Sequence, residues 1–171
     1  PTSRLMRARL SGERSEHVLA FGQETRFEGT GRPFTITLLP AGHVLGSAMA
    51  LITCEDTKVL YTGDFKLQRS LTSELCDPRQ ADILIMETTF GRPGYRFPPA
   101  SEVFQGVIRF CRETLDEDSV PVLLSYSLGK SQELLSGLKE AQLPVMLHPQ
   151  VHKLTEIYKE FGKTFPEYRK L

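Results

Sequence analysis

The sequence predicts an α/β chain in two units, residues 1–97 and 98–171, and three observations carry that reading. Strand-like runs follow one another from Phe34 to Tyr61: Phe34–Leu39 alternates apolar residues with threonine, and Ala48–Cys54 and Lys58–Tyr61 are joined at Glu55-Asp56-Thr57, where Asp56 suits a turn. The stretch Gly91–Pro99 holds two glycines and three prolines, the sharpest compositional break in the chain. Beyond it, helical and strand patterns alternate, which is the order of a small parallel sheet.

In order along the chain, Thr2-Ser3 ahead of Arg4–Leu10 predicts a short capped helix ending near Gly12. Its arginines Arg4, Arg7 and Arg9, with Arg14 just beyond, would meet a phosphate backbone or, more commonly, form a solvated face. Glu16–Phe21 and Glu24–Phe27 are short strand candidates punctuated by Gly22 and Gly29, and His17 has no ligand-type neighbour. Phe65–Pro78 reads as a loop in which Lys66 and Arg69 are ordinary exposed charges in preference to phosphate-steering groups. Ala81–Met86 is a near-continuous apolar run, expected as a strand buried on both faces and ended by Glu87.

After the break, Val103, Val107, Phe110, Cys111 and Leu115 recur at helical spacing over Ser101–Leu115, which makes Cys111 a small core hydrophobe. Within the linker itself, Tyr95 and Phe97 flank Arg96; such residues stack on unpaired bases or, more often, pin a linker to its own domain. Val120–Leu124 and Pro144–Leu147 are strand runs, each leading into a helix: one carrying Leu134, Leu135, Leu138 and Ala141, the other spanning Val151–Phe161. His148 and His152 sit four apart, but the string HPQVH lacks the glutamate of HExxH, so zinc binding there is not favoured. Lys163–Leu171 is a basic, aromatic tail.

The totals narrow the function class. Twenty-one basic and 21 acidic residues remove the bulk electrostatic argument for a nonspecific nucleic-acid coat protein, and leave open an enzyme with a local site. Cys54, Cys76 and Cys111 form no CxxC and fit a reduced cytoplasmic protein, or a nuclear one in a eukaryote. No apolar run approaches a membrane span and no signal peptide is visible, so no membrane partner is expected.

Candidate chemistry gathers at three strand ends. His43 follows Pro40-Ala41-Gly42, and Asp64 follows Tyr61-Thr62-Gly63; the glycine before each permits a tight or positive-φ turn. If Ala48–Tyr61 folds back as a hairpin, both residues come from neighbouring segments. An imidazole and a carboxylate so placed are ligand types of a hydrolytic zinc or manganese site, with turn and cap roles as the plainer alternative. Glu87, just past an apolar strand, suits a carboxylate that accepts a hydrogen bond from a ligating histidine, or else a helix cap or salt-bridge partner.

Taken in order, the strings AGHVLGSA, the apolar run into YTGDF, and ILIMETTFG resemble the third motif, the fourth motif and motif A of the β-CASP nucleases of the metallo-β-lactamase fold. The continuation TTFGRPGYRFPP is similar to bacterial DNA-ligase-associated or mRNA 3′-end-processing-like exonucleases. The resemblance implies part of an αββα domain followed by the start of a β-CASP cap. It implies His43 as a terminal metal ligand, Asp64 as a bridge between two metals, and Glu87 as an orienting or proton-handling carboxylate. The turn Ser125–Lys130 resembles the start of the cap, where Ser127, Gly129 and Lys130 would contact backbone phosphates at a helix N-terminus; the Walker spacing is missing.

The activity implied is hydrolysis of DNA or RNA phosphodiesters by water activated at two divalent metals, zinc by resemblance and manganese as the alternative. The partners implied are nucleic acid and a DNA ligase or helicase. The chain departs from the family pattern: the HxHxDH loop that supplies most ligands is absent, since His17, His43, His148 and His152 lack that spacing. The later histidine-centred motifs are not recognisable either. An internal fragment, inactive alone and with an incomplete metal site, is therefore expected. Two alternatives stand beside the nuclease: a non-catalytic binding or assembly subunit of the same scaffold, and a small-molecule hydrolase such as a thioesterase or lactamase, against which the extra unit after Gly91 speaks.

Overall fold

The computed structural model describes residues 1–28 and 31–171, and its chain divides into two compact units, Pro1–Thr88 and Thr89–Leu171; the sequence reading places the division after residue 97. Gly29, expected as punctuation, lies outside the described residues.

The first unit comprises α1 (Thr2–Arg9) and a five-stranded sheet of β1 (Glu24–Phe27), β2 (Phe34–Pro40), β3 (Ala48–Cys54), β4 (Thr57–Tyr61) and β5 (Ile83–Ile85), in spatial order β1-β2-β3-β4-β5. The first three pairings are antiparallel and β4–β5 is parallel. The β3–β4 hairpin closes through Glu55-Asp56, with Cys54 opposite Thr57 and Glu55 at positive φ. Leu39, Ala41, Met49 and Leu60 form the core of this unit, with Leu51, Phe65, Cys76 and Ala81 packed against them. β2 is half-buried at nearly every position, so its apolar–threonine alternation does not become an alternation of burial.

Three expectations for this unit change. α1 forms, but Thr2 and Ser3 do not cap it: Pro1 holds the N-cap position, the Thr2 hydroxyl donates to the Gly46 carbonyl, and the Ser3 hydroxyl donates to Glu16 at 2.7 Å. Distant acceptors outcompete the local cap. Glu16–Phe21 is not a strand; Phe21 makes a single bridge to Leu38, because β1 already occupies that edge of β2 and the Glu16 carboxylate is committed to Ser3 and Arg7. The Ala81–Met86 run does yield β5, but it is exposed, with Ile83, Leu84 and Ile85 each about half accessible. As an edge strand it is hydrogen-bonded to β4 alone.

The second unit comprises α2 (Ala100–Asp116), α3 (Lys130–Gly137), a 3-10 turn over Lys139–Ala141, β6 (Met146–Leu147), α4 (Pro149–Glu160) and β7 (Arg169–Lys170). Cys111 is buried on α2, and burial pushes its thiol pKa up, as expected of a core residue. Val120–Leu124 is not a strand, a second correction to the apolar-run rule. Leu123, Leu124, Met146 and Leu147 all line one cavity of about 490 Å³, and the run is not among the hydrogen-bonded neighbours of β6. Without a hydrogen-bonded neighbour an extended run gains no ladder. The parallel pair is completed by the tail, since β7 pairs with β6.

Two polar clusters hold this unit together. Gln132 is fully buried: its carbonyl accepts from the Gly129 N–H at 2.7 Å, and its amide donates to the Ser127 carbonyl at 3.1 Å and the Thr155 hydroxyl at 3.0 Å. This joins the start of α3 to α4. The tail is tied down at Tyr168, whose hydroxyl donates to Glu156 at 2.5 Å, with Lys159 5.6 Å from the ring centre and His152 edge-on at 5.7 Å. The Tyr168 hydrogen bond, followed by Lys159, holds the Glu156 carboxyl below its ordinary range, and burial with the same bond pushes the Tyr168 phenol up.

Gln132→Leu removes the acceptor of the buried Gly129 N–H and the donor to the Ser127 carbonyl, while the Thr155 hydroxyl keeps its bond to the Val151 carbonyl, and is expected to cost about 1–3 kcal/mol in urea unfolding. Glu156 has a folded pKa below its unfolded value near 4.5, so its contribution is present above that pH and is lost as pH falls through the folded value. Glu156→Gln should therefore lower the melting temperature at neutral pH, and the difference from the unsubstituted protein should shrink as the pH is lowered through the acidic range.

Candidate functional site

Strand direction decides where the flagged residues fall. β2 and β4 both run antiparallel to β3, and β5 runs parallel to β4, so β2, β4 and β5 all point the same way. Leu38, Ala50, Tyr61 and Ile85 form one row across these four strands. His43, Asp64 and Glu87 each lie a few residues past that row, at the C-terminal ends of β2, β4 and β5. One edge of the sheet thus presents all three corners.

The β2 corner is shaped by local bonds. The Ser47 hydroxyl accepts from the N–H groups of His43 at 3.0 Å and Val44 at 3.1 Å, while Ala41 N–H donates to the Ser47 carbonyl at 2.9 Å. The corner is also gripped from outside by the irregular crossover that links β4 to β5. Lys66 N–H donates to the Ala41 carbonyl at 2.9 Å, Asp77 N–H to the Pro40 carbonyl at 3.0 Å, and the Ser73 hydroxyl to the Gly42 carbonyl at 2.8 Å. Gly46 N–H in turn donates to the Glu74 carboxylate at 2.8 Å. Gly42 has φ +73°, and a Cβ there would lie 2.4 Å from the Lys66 carbonyl, so only glycine lets the two backbones approach this closely.

This clamp sets His43 Nε2 3.8 Å from Asp64 Oδ2, with both side chains open to solvent. The separation lies within the roughly 4.2 Å that two donors, each about 2.1 Å from one ion, can span. An imidazole nitrogen and a carboxylate oxygen fit a zinc or manganese ion in kind. They fall short in number: among the described residues no group of three or more His, Cys, Asp or Glu is placed to hold a metal. Glu87, half-buried, is tied to the Asp64 corner through the backbone: its N–H donates to the Thr62 hydroxyl at 3.4 Å, Thr62 N–H donates to the Ile85 carbonyl at 3.0 Å, and the same hydroxyl donates to the Gly63 carbonyl at 2.8 Å.

The remaining flagged residues lie elsewhere. Ser127, Gly129 and Lys130 belong to the second unit, where Lys130 is exposed. The amides that would cradle a phosphate there are already engaged: Gly129 N–H on Gln132, Lys130 N–H on the Leu128 carbonyl at 3.1 Å, and Ser131 N–H on the Tyr126 carbonyl at 3.2 Å. His148 caps α4, its Nδ1 accepting from Gln150 N–H at 3.2 Å, and His152 packs on Tyr168. His17 sits edge-on to Phe27, and Arg7 pairs with Glu16 at 2.9 Å.

Sequence reasoning did not single out Ser47, Thr62, Ser73 or Glu74. Ser47 left a local signal, a hydroxyl four residues after His43 in a Gly-rich turn, whereas Ser73 and Glu74 act across the fold and leave none.

No protein-family model matches the chain. Among curated proteins it is similar to one named "Probable DNA ligase" from Opitutus terrae, 55% identical over 169 residues, which is 98% of this chain and 16% of that protein. It is also similar to the cleavage and polyadenylation specificity factor subunit 3 of Dictyostelium discoideum, 33% identical over 125 residues, 72% of this chain and 16% of the relative. A third is the DNA cross-link repair protein SNM1 of Arabidopsis thaliana, 32% identical over 162 residues, 92% of this chain and 33% of the relative. The chain thus spans between 16% and 33% of the length of these relatives.

Gly42→Ala places a methyl group against the Lys66 carbonyl at a backbone angle that disfavours it. The substitution should lower stability by about 1–3 kcal/mol in chemical unfolding. Gly22→Ala, also at positive φ but with open space around it, should cost less.

Proposed function

The chain belongs to the β-CASP nucleases of the metallo-β-lactamase fold, and from that premise we propose that the protein carrying it hydrolyses nucleic-acid phosphodiester bonds with His43, Asp64 and Glu87 in its active site. The observation that carries this reading is the 3.8 Å approach of His43 Nε2 to Asp64 Oδ2, made by residues on two different strand ends. A pair of solvent-open groups gains little stability from such an approach, so a ligand-binding role accounts for the elaborate clamp behind it better than a structural one.

In this reading His43 offers the lone pair of Nε2 and Asp64 its carboxylate to a divalent metal, zinc or alternatively manganese, in a site of two ions to which other residues of the protein contribute. When bound, such ions polarise a phosphoryl oxygen and supply a nucleophile at neutral pH. Glu87, fixed beside the Asp64 corner through Thr62, orients a ligand or holds a proton. Lys130 contributes a cation for the phosphate backbone, and Ser127 and Gly129 shape the turn that presents it. DNA is the favoured substrate and a DNA ligase the favoured partner, on the strength of the name borne by the 55% identical relative.

The test uses the full-length protein on labelled single- and double-stranded DNA and RNA. His43→Ala and Asp64→Asn should each reduce cleavage at least about a hundredfold while leaving the melting temperature close to that of the unsubstituted protein. Undiminished cleavage by both variants would overturn the site. Hydrolysis of a lactam or thioester without cleavage of any nucleic acid would favour a small-molecule hydrolase instead, and full-length protein that binds nucleic acid without cleaving it would favour a binding subunit. The 171-residue chain by itself, dialysed against zinc and then buffer, should retain well under one ion per molecule.

A further inference from the structure

Three aromatic rings in the segment that opens the second unit meet one another yet remain in water. Phe90 stands edge-on to Tyr95 at 5.3 Å and to Phe97 at 5.1 Å, and the Tyr95 and Phe97 rings are parallel within 8° at 6.4 Å. A turn closed by Tyr95 N–H on the Arg92 carbonyl at 3.0 Å brings them together. Their exposures are 60%, 51% and 63%, so clustering has not buried them. Burying a ring is worth far more than an edge contact between exposed rings, so a cluster of this kind is short of an occupant.

The charges beside it say which occupant. Arg92 and Arg96 lie in the same segment, both are exposed, and neither pairs with a carboxylate among the described residues. From Thr88 to Ser101 the sequence contains no acidic residue, although the chain as a whole is neutral. Flat apolar faces flanked by unpaired guanidinium groups match a ligand that is itself flat, apolar on its faces and anionic along its backbone. That is a nucleic-acid strand with unpaired bases.

We propose that Phe90, Tyr95 and Phe97 form a stacking platform for an unpaired base of a single-stranded nucleic acid, with Arg92 and Arg96 on the adjacent phosphates. The inference rests on the nuclease reading and adds to it a substrate class: a single strand, or the frayed end of a duplex, taken with little preference among bases.

The test is binding of labelled oligonucleotides to the full-length protein in EDTA, by fluorescence anisotropy, so that no hydrolysis is needed. Two strands with equal phosphate counts are compared, one of thymidine and one with abasic sites. The triple variant Phe90→Leu, Tyr95→Leu, Phe97→Leu keeps apolar bulk and removes the ring faces. It should bind the thymidine strand at least about fivefold more weakly and the abasic strand unchanged. Arg92→Gln with Arg96→Gln should weaken both strands alike and flatten the salt dependence. Unchanged affinity of the leucine variant for the thymidine strand, or equal losses on both strands, would overturn the platform. So would a lowered melting temperature with unchanged affinity, which marks the rings as an internal or protein–protein contact. Because the readout is binding without turnover, its failure is separable from failure of the nuclease reading, which is judged by cleavage alone.

Discussion

The candidate site depends on a grip between two irregular segments. The crossover from β4 to β5 reaches back over the corner after β2, and four hydrogen bonds, from Lys66, Asp77 and Ser73 and to Glu74, satisfy backbone groups that the sheet leaves unpaired. Buried backbone polar groups without partners are costly, so neither segment can move without exposing the other to that cost. His43 and Asp64 lie in the two gripped segments, and their separation follows from this mutual bonding more than from any attraction between the side chains. The glycine at position 42 permits the approach by having no side chain where the Lys66 carbonyl sits.

Much of this was legible in the sequence, and the reason differs by element. The β2–β3–β4 meander announced itself through short-range pattern: apolar runs, a turn-forming link at Glu55-Asp56-Thr57 and glycines ahead of His43 and Asp64. Once strand order is known, direction alone carries the three corners to one edge. The resemblance of three ordered strings to a nuclease family was likewise a local property, and the curated relatives agree with it. The failures are all failures of neighbourhood. Ala81–Met86 and Val120–Leu124 have the apolar continuity of buried strands, but burial is conferred by what packs on a strand, which no run of residues encodes in itself. Thr2 and Ser3 have the chemistry of helix caps and found better acceptors far away. Ser73 and Glu74 support the corner across a gap that a single sequence does not reveal.

The second unit shows the same division between local pattern and distant pairing. Its helices formed close to where periodicity placed them. What binds them is a buried glutamine whose three partners come from the turn before α3 and from α4, and a tail tyrosine seated on a glutamate of α4. The glutamine is also why the turn at Ser127–Lys130 differs from a free anion cradle: the Gly129 amide points to Gln132 and is not available to a ligand.

The parallel joint between β4 and β5 has a consequence for how the molecule assembles. The meander closes through near neighbours and can form early, whereas β5 must wait for the long crossover to be threaded and clamped before its ladder is rewarded. The acidic corner at Glu87 is therefore the last of the three to arrive and the first to be released when the edge frays, leaving the imidazole and its aspartate partner in place on a sheet that has already set.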